Sequence, residues 1–276
     1  MAAQHKIPIW TYEDGRMRQR RDQLAVEEPL EIRLEAGGQR QSLTVTMRTP
    51  GNDFELAAGL LYSEGLVAER AAIDTLKYCV DPRVDGEQRY NIVNVALRAA
   101  QLPDLSRLTR HFAATSSCGV CGKVGLDSLR GRGCTPLAAG PIVAPSLLEG
   151  LPAQLRGEQN MFANTGGLHA AALFDVEGRL LAVREDIGRH NAVDKLVGWA
   201  LLADKLPLSQ HILLVSSRVG YEIAQKALAA SIPIVCAISA PSNLAVSMAH
   251  SFGVTLVGFL RGGRFNVYAG VERIAH

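Results

Sequence analysis

The chain has 276 residues, 29 Lys and Arg against 27 Asp and Glu, a formal net charge of +2, and 47% hydrophobic residues. Such a composition excludes a disordered tail protein, a collagen-like chain and a disulfide-dense secreted scaffold. Near-neutral charge argues against a general nucleic-acid coat but leaves room for a local basic site. The length allows one large domain or two ordinary ones, each with its own core.

Residues 1–27 are polar and mixed in charge, with Arg16, Arg18, Arg20 and Arg21 close together, and read as a solvated, partly mobile arm. No apolar stretch of signal-peptide length precedes them. Leu30–Leu34 and Ser42–Arg48 alternate apolar with polar residues, as half-buried strands do, around a hairpin turn at Ala36-Gly37-Gly38. Asn52 or Asp53 is placed to cap a helix carrying Leu56, Leu60 and Leu61 and ending near Gly65. Thr75–Val80 and Tyr90–Leu97 are further strand candidates. Residues 1–112 therefore read as a small α+β domain.

The pattern weakens over residues 98–140, where Gly, Ser, Thr, Cys and Arg dominate. Between Leu105 and Gly133, Arg107, Arg110, Lys123, Arg130 and Arg132 stand against Asp127 alone. A loop this long is more often functional than filler, so residues 113–140 are expected to form a mobile loop. From 141 to 276 the pattern is α/β. Helices are predicted at Ser146–Leu155, Asn191–Leu202, Tyr221–Ala229 and Ser242–Ser251. Strands are predicted at His169–Phe174, Leu180–Val183, His211–Val215, Ile232–Ile238 and Thr255–Leu260. Apolar strands alternating with helices imply parallel pairing with both faces covered. Ala227–Leu260 has no Asp, Glu, Lys or Arg, but Pro233, Pro241, Asn243 and His250 interrupt it. It reads as the buried centre of a sheet rather than a membrane span, and the expected compartment is the cytoplasm.

Five cysteines spread over this length are not a disulfide framework. Cys79 and Cys236 lie in apolar strand contexts and read as inert packing; Cys134 is unassigned. Cys118-Gly119-Val120-Cys121 is the chemical lead. It admits half of a metal site, a dithiol exchange pair, or a nucleophilic thiol that carries a group between partners. No second Cys-x-x-Cys and no His-x-x-x-His accompany it, and it does not open a helix after a strand. Nearby Arg110, Lys123 and Arg130 favour a thiolate.

Polar loops punctuate the second half. Thr165-Gly166-Gly167-Leu168-His169 precedes a strand, and its glycines permit close backbone approach. Arg184 to Asn191 gathers polar residues at a strand end that opens a helix, where α/β sheets bind ligands. Asp186 can accept from a guanidinium or imidazole, and Arg189 can grip phosphate. Ser216-Ser217-Arg218 and Ser239-Ala240-Pro241-Ser242-Asn243 repeat the arrangement, and helix N-termini favour anions. Arg261-Gly262-Gly263-Arg264 suits a phosphate or pyrophosphate. No Walker or Gly-x-Gly-x-x-Gly motif occurs.

Four of these segments resemble the FdhD/NarQ family of formate dehydrogenase accessory sulfurtransferases: Ser116 to Gly122, Thr165 to His169, Asp186-Ile187-Gly188-Arg189-His190-Asn191 through Lys195, and Ser216-Ser217-Arg218. Their order and spacing agree from about Leu30 to Tyr268. The resemblance implies a cytidine-deaminase-like α/β domain behind the smaller α+β domain, and a homodimer. It implies an enzyme that accepts persulfide sulfur from a cysteine desulfurase and passes it to the molybdenum cofactor, bis(molybdopterin guanine dinucleotide), for formate dehydrogenase. Cys118 would carry the persulfide with Cys121 as its partner. Phe259, Leu260, Arg261, Gly262, Gly263 and Arg264 match the family's cofactor-binding stretch. Asp186, Arg189, His190, Ser217 and Arg218 join them as candidates, with GDP as an analogue and no catalytic metal. A cofactor-binding chaperone that moves no sulfur is the alternative. A zinc deaminase-like hydrolase would need a His-x-Glu segment, which is absent.

Overall fold

The computed structural model describes residues 3–86, 88–105, 129 and 134–275. The arm expected over residues 1–27 contains regular structure. Strands β1 (Gln4–Glu13) and β2 (Arg16–Ala25) pair in an antiparallel hairpin through Asp14 and Gly15, both with positive φ. The arginines of β2 alternate with other residues instead of with a buried apolar set, so strand periodicity in hydrophobicity was missing. The hairpin's base meets the second half of the chain, where Ala25 lies beside Gly167.

The next unit is a four-stranded sheet in the order β4-β3-β6-β5, built from β3 (Glu28–Ala36), β4 (Gln39–Arg48), β5 (Ile73–Tyr78) and β6 (Ile92–Leu97). Leu30, Ile32 and Leu34 of β3 alternate into a core with Val93 and Val95 of β6, closed by helix α1 (Asp53–Ser63). Neither Asn52 nor Asp53 caps that helix. Asn52 adopts a left-handed conformation with no side-chain cap bond. The Asp53 carboxylate instead receives the fully buried Arg48 guanidinium through two bonds of 3.0 Å, plus the Tyr78 hydroxyl at 3.1 Å. A bidentate charged bond in a dry site outweighs an N-cap worth about 1 kcal/mol.

The second half carries a six-stranded sheet in the order β12-β11-β10-β9-β7-β8. Its strands are β7 (His169–Asp175), β8 (Leu180–Asp186), β9 (His211–Val215), β10 (Ile234–Ala237), β11 (Thr255–Arg261) and β12 (Arg264–Ala269). β9, β10 and β11 pair in parallel as expected. The purely parallel expectation fails at β7, which is antiparallel to both its neighbours because a tight turn at Gly178 joins it to β8 and it is then inserted beside β9. Helices α2 (Pro145–Glu158), α3 (Asn160–Thr165), α4 (Arg189–Leu202), α5 (Tyr221–Ala229) and α6 (Asn243–Phe252) accompany this sheet. Ser242 does cap α6, accepting the Ala245 N–H at 3.2 Å. Two cores lie on the opposite faces of the sheet, one under α4, α5 and α6 and one under α2. The uncharged stretch resolves into α5, β10, α6 and β11, and no described helix is long and apolar enough to cross a membrane.

The two sheets meet through α1 and α4, which cross at Gly59 and Gly198. A Cβ added at Gly59 would lie 1.8 Å from the Asp194 carbonyl oxygen, and one at Gly198 would lie 1.8 Å from that of Glu55. Backbone touches backbone at this crossing. Gly59→Ala or Gly198→Ala is expected to destabilise the protein by about 3 kcal/mol or more, since overpacked backbone cannot move aside as a side chain can. Urea unfolding checks this: an unchanged midpoint in both variants would mean the helices separate freely.

Candidate ligand site at the strand ends

The ends of β8, β9 and β10, the start of β7 and Phe259 in β11 converge on one edge of the six-stranded sheet. Backbone bonds lace them together. Ala170 N donates to Ser216 Oγ at 2.9 Å, Val219 N to the Ala240 carbonyl at 3.2 Å, and Phe259 N to the Ser239 carbonyl at 3.0 Å. The loops at Ser216–Arg218 and Ser239–Asn243 and residue Phe259 are thereby brought together, as the sequence pattern implied for polar loops at strand ends.

The Asp186–Lys195 segment divides into two faces. Asp186 is fully buried, and both carboxylate oxygens are occupied. Oδ1 accepts from Gly188 N at 2.8 Å and Asn191 Nδ2 at 3.0 Å, and Oδ2 from Thr49 N at 3.2 Å, with Lys195 Nζ at 2.7 Å. Asn191 also donates to the Met47 carbonyl at 2.7 Å, and Lys195 to that of Thr49 at 2.9 Å. Asp186 thus presents no oxygen to a ligand; it joins the strand end to the first unit. Arg189 and His190 face the other way. His190 Nε2 pairs with Glu222 Oε2 at 2.7 Å, and this bond holds the Glu222 carboxyl below its usual range. Arg189 is half-buried and has no hydrogen-bond or ion-pair partner among the described residues.

His169 stands beside these cations. Burial, then the charges of Arg189 and His190, push its imidazole below the ordinary 6.5, against a smaller opposing pull from Asp186. It is therefore neutral at pH 7, able to donate at one nitrogen and accept at the other. It lines a cleft of about 460 Å³ with Ser216, Ile238, Gln159, Arg156 and Phe162. Sequence reasoning missed Arg156, Gln159 and Phe162, which sit in a helical stretch with no motif.

The predicted phosphate loop is a hairpin turn. Arg261 pairs with Arg264 across Gly262 and Gly263, whose φ values of 61° and 70° are those of a two-residue turn that glycine accommodates. Both arginines are exposed, and Arg261 lies 5.8 Å over the Phe259 ring. Leu260 is buried in the core beneath. The turn and Pro152 of α2 border a second cleft of about 310 Å³. Arg218 is exposed, and Ser217 is buried with its hydroxyl donating to the Arg218 carbonyl at 3.0 Å. Cys118, Cys121, Arg110, Lys123 and Arg130 lie outside the described residues. Cys79 and Cys236 are buried free thiols, and burial pushes the Cys236 thiol up to about 12, consistent with inert packing. Cys134 is partly buried against the core. Among the described residues no cluster of three or more His, Cys, Asp or Glu is placed to hold a metal.

Fold and edge define a mixed α/β protein with a cleft at its strand ends, lined in part by Arg156. Comparison with known proteins narrows this class: a model of the FdhD/NarQ family matches residues 25–275, and the chain belongs to that family. It is 53% identical to the sulfur carrier protein FdhD of Streptomyces coelicolor over 265 residues, covering 95% of this chain and 92% of that one. It is 52% identical to the protein of that name from Mycobacterium tuberculosis over 259 residues, 92% of either chain. In fold it matches the crystal structure of a protein described as a formate dehydrogenase accessory protein from Desulfotalea psychrophila, with a TM-score of 0.76 at 23% identity, over 99% of this chain and 100% of that one.

Two measurements probe this edge. Lys195→Met leaves the Asp186 carboxylate buried without its cation and is expected to cost about 3–5 kcal/mol, read by urea unfolding. Arg189→Ala removes a positive neighbour of His169, so the imidazole should titrate at higher pH than in the parent protein, read by NMR. Because the folded state depresses this pKa, the stability linked to His169 is complete above pH 6.5 and falls as the pH drops through 6.5 towards the folded value.

Proposed function

We propose that this protein is a sulfur carrier that accepts persulfide sulfur from a cysteine desulfurase and delivers it to the molybdenum cofactor destined for formate dehydrogenase. The observation that carries this reading is near-full-length identity above 50% to proteins named as sulfur carriers. The Cys118-Gly119-Val120-Cys121 pair, in a segment rich in Arg and Lys, supplies the chemistry. In the loading step, the Cys118 thiolate attacks the outer sulfur of the donor's persulfide. The new S–S bond forms on Cys118 while the old one breaks, and the donor cysteine leaves as a thiolate, so no external oxidant or reductant is consumed.

The cofactor is the substrate here, held as a phosphate-bearing dinucleotide. Arg189, which has no hydrogen bond among the described residues, and the exposed Arg218, Arg261 and Arg264 support an anionic ligand at this edge. The strand order β8-β7-β9-β10-β11, numbered 2-1-3-4-5 within its unit, supports the cytidine-deaminase-like reading of the second half. Formate dehydrogenase is the recipient in this scheme, and the assembly is a homodimer in the cytoplasm.

Incubation with a cysteine desulfurase and cysteine should add about 32 Da, one sulfur atom, to the intact protein. Cys118→Ala should abolish the adduct and formate dehydrogenase maturation. Full maturation by Cys118→Ala would overturn the assignment of that thiol. Full maturation by a protein lacking both Cys118 and Cys121 would favour a chaperone that moves no sulfur.

A further inference from the structure

The N-terminal hairpin keeps one edge open. Arg16 pairs with Glu13 across a two-residue turn, and the register runs without a bulge to Gln4 and Ala25. Val26 N donates to the Ala3 carbonyl at 3.0 Å, which continues the ladder and sets its phase: odd-numbered residues of β1 bond to even-numbered residues of β2. The N–H and C=O groups of Met17, Gln19 and Arg21 therefore point away from β1, and no described residue bonds them. Arg16 to Arg21 are all exposed, whereas Asp22, Gln23 and Ala25 are half-buried toward the end of β2, which meets α3. The outer edge of β1 differs. Pro8, opposite Arg21, occupies the same outward phase and has no N–H to give, so strand pairing is interrupted along that side.

The side chains on the two faces restrict what pairs there. Arg16, Arg18 and Arg20 share one face at intervals of about 7 Å, and none has a hydrogen-bond or ion-pair partner among the described residues. On the other face Trp10, Tyr12 and Met17 are exposed, with Tyr12 directly opposite Met17. A charged edge by itself guards against chance pairing, but a guard does not need three exposed large hydrophobic side chains behind it. A second copy of β2 is excluded, because it would set arginines against arginines. A nucleic acid would meet the arginines and leave the peptide ladder unused. A two-stranded sheet is marginal in water, and a third strand with an apolar face is what stabilises one.

We propose that the Arg16–Arg21 edge of β2 is a docking site for an extended acidic segment of a partner protein, added as a third strand. Acidic residues at every second position of that segment lie beside Arg16, Arg18 and Arg20, and apolar residues between them extend the Trp10, Tyr12 and Met17 surface. Backbone bonds to Met17, Gln19 and Arg21 fix the register. This surface lies outside the strand-end edge and requires nothing of the sulfur chemistry.

Fluorescence anisotropy on the full chain tests this, with a labelled peptide of about ten residues that alternates glutamate with valine. Saturable binding is expected, stronger than that of the matching lysine–valine peptide and weakened by salt. The combined Arg16→Glu, Arg18→Glu and Arg20→Glu variant should bind it about tenfold or more weakly and prefer the lysine peptide. Thermal melting establishes that this variant is folded. Two readings on the parent protein carry the test if it is not. A fully N-methylated form of the peptide, which keeps its charges and loses its amide donors, should not bind. The Met17, Gln19 and Arg21 amides should become protected from hydrogen exchange when the unmodified peptide binds, read by NMR. No binding of the glutamate peptide, equal binding of its N-methylated form, or unchanged exchange at those three amides would overturn the site. So would unchanged affinity in the folded variant, or tighter binding of a single-stranded oligonucleotide or an anionic phospholipid vesicle.

Discussion

One carboxylate holds the halves of this protein in register. Asp186 ends β8, and its four contacts reach the start of α4 through Gly188, Asn191 and Lys195, and the first unit through Thr49. Thr49 answers with all its polar atoms: its N–H goes to Asp186, its carbonyl accepts from Lys195, and its hydroxyl oxygen accepts from Ile187 N at 3.3 Å. A buried carboxylate without these partners would be prohibitively unfavourable. Strand end, helix start and the β4–α1 corner must therefore assemble as one arrangement. The position of His190 follows from it, because the same helix start that buries Asn191 and Lys195 turns its other face to Glu222 of α5.

The rest of the seam obeys the same logic. Gly59 and Gly198 let the helix backbones touch, and charges too large to exclude are paired inside. Lys226 meets both Asp194 oxygens at 2.8 Å, and Ser63 donates to one of them at 3.0 Å. Burial still outweighs those partners and raises the Asp194 carboxyl. Arg184 of β8 grips Glu55 of α1 from the more exposed side, with a bond of 2.7 Å. Paired buried charges are weak contributors to stability but strong penalties when misaligned, so they select this docking of the two sheets over alternatives.

The candidate site inherits its rigidity from the seam and its chemistry from the opposite wall. His169, Ser216 and Ile238 are held by sheet hydrogen bonds, whereas Arg156, Gln159 and Phe162 come from the α2–α3 corner. The exposed Arg218, Arg261 and Arg264 at the strand ends and in the β11–β12 turn supply positive potential.

Much of this was legible in the chain itself. Periodicity located β7 to β11 and the helices α2, α4, α5 and α6, though not α3 or β12, and the polar blocks at their ends marked the edge where α/β sheets bind ligands. The hairpin turn at Ala36-Gly37-Gly38, the buried Cys79 and Cys236 and the family motifs were likewise readable, because each depends on local residue type. Tertiary structure alone decided that Asp186 faces the seam while His190 turns to Glu222 of α5. It also decided that Asp53 serves Arg48 instead of capping α1, that β7 runs against its neighbours, and that the arginine-rich first residues form a hairpin. Partner choice for a buried polar group is settled by which distant groups share its low-dielectric space. That is a property of packing and not of spacing along the chain.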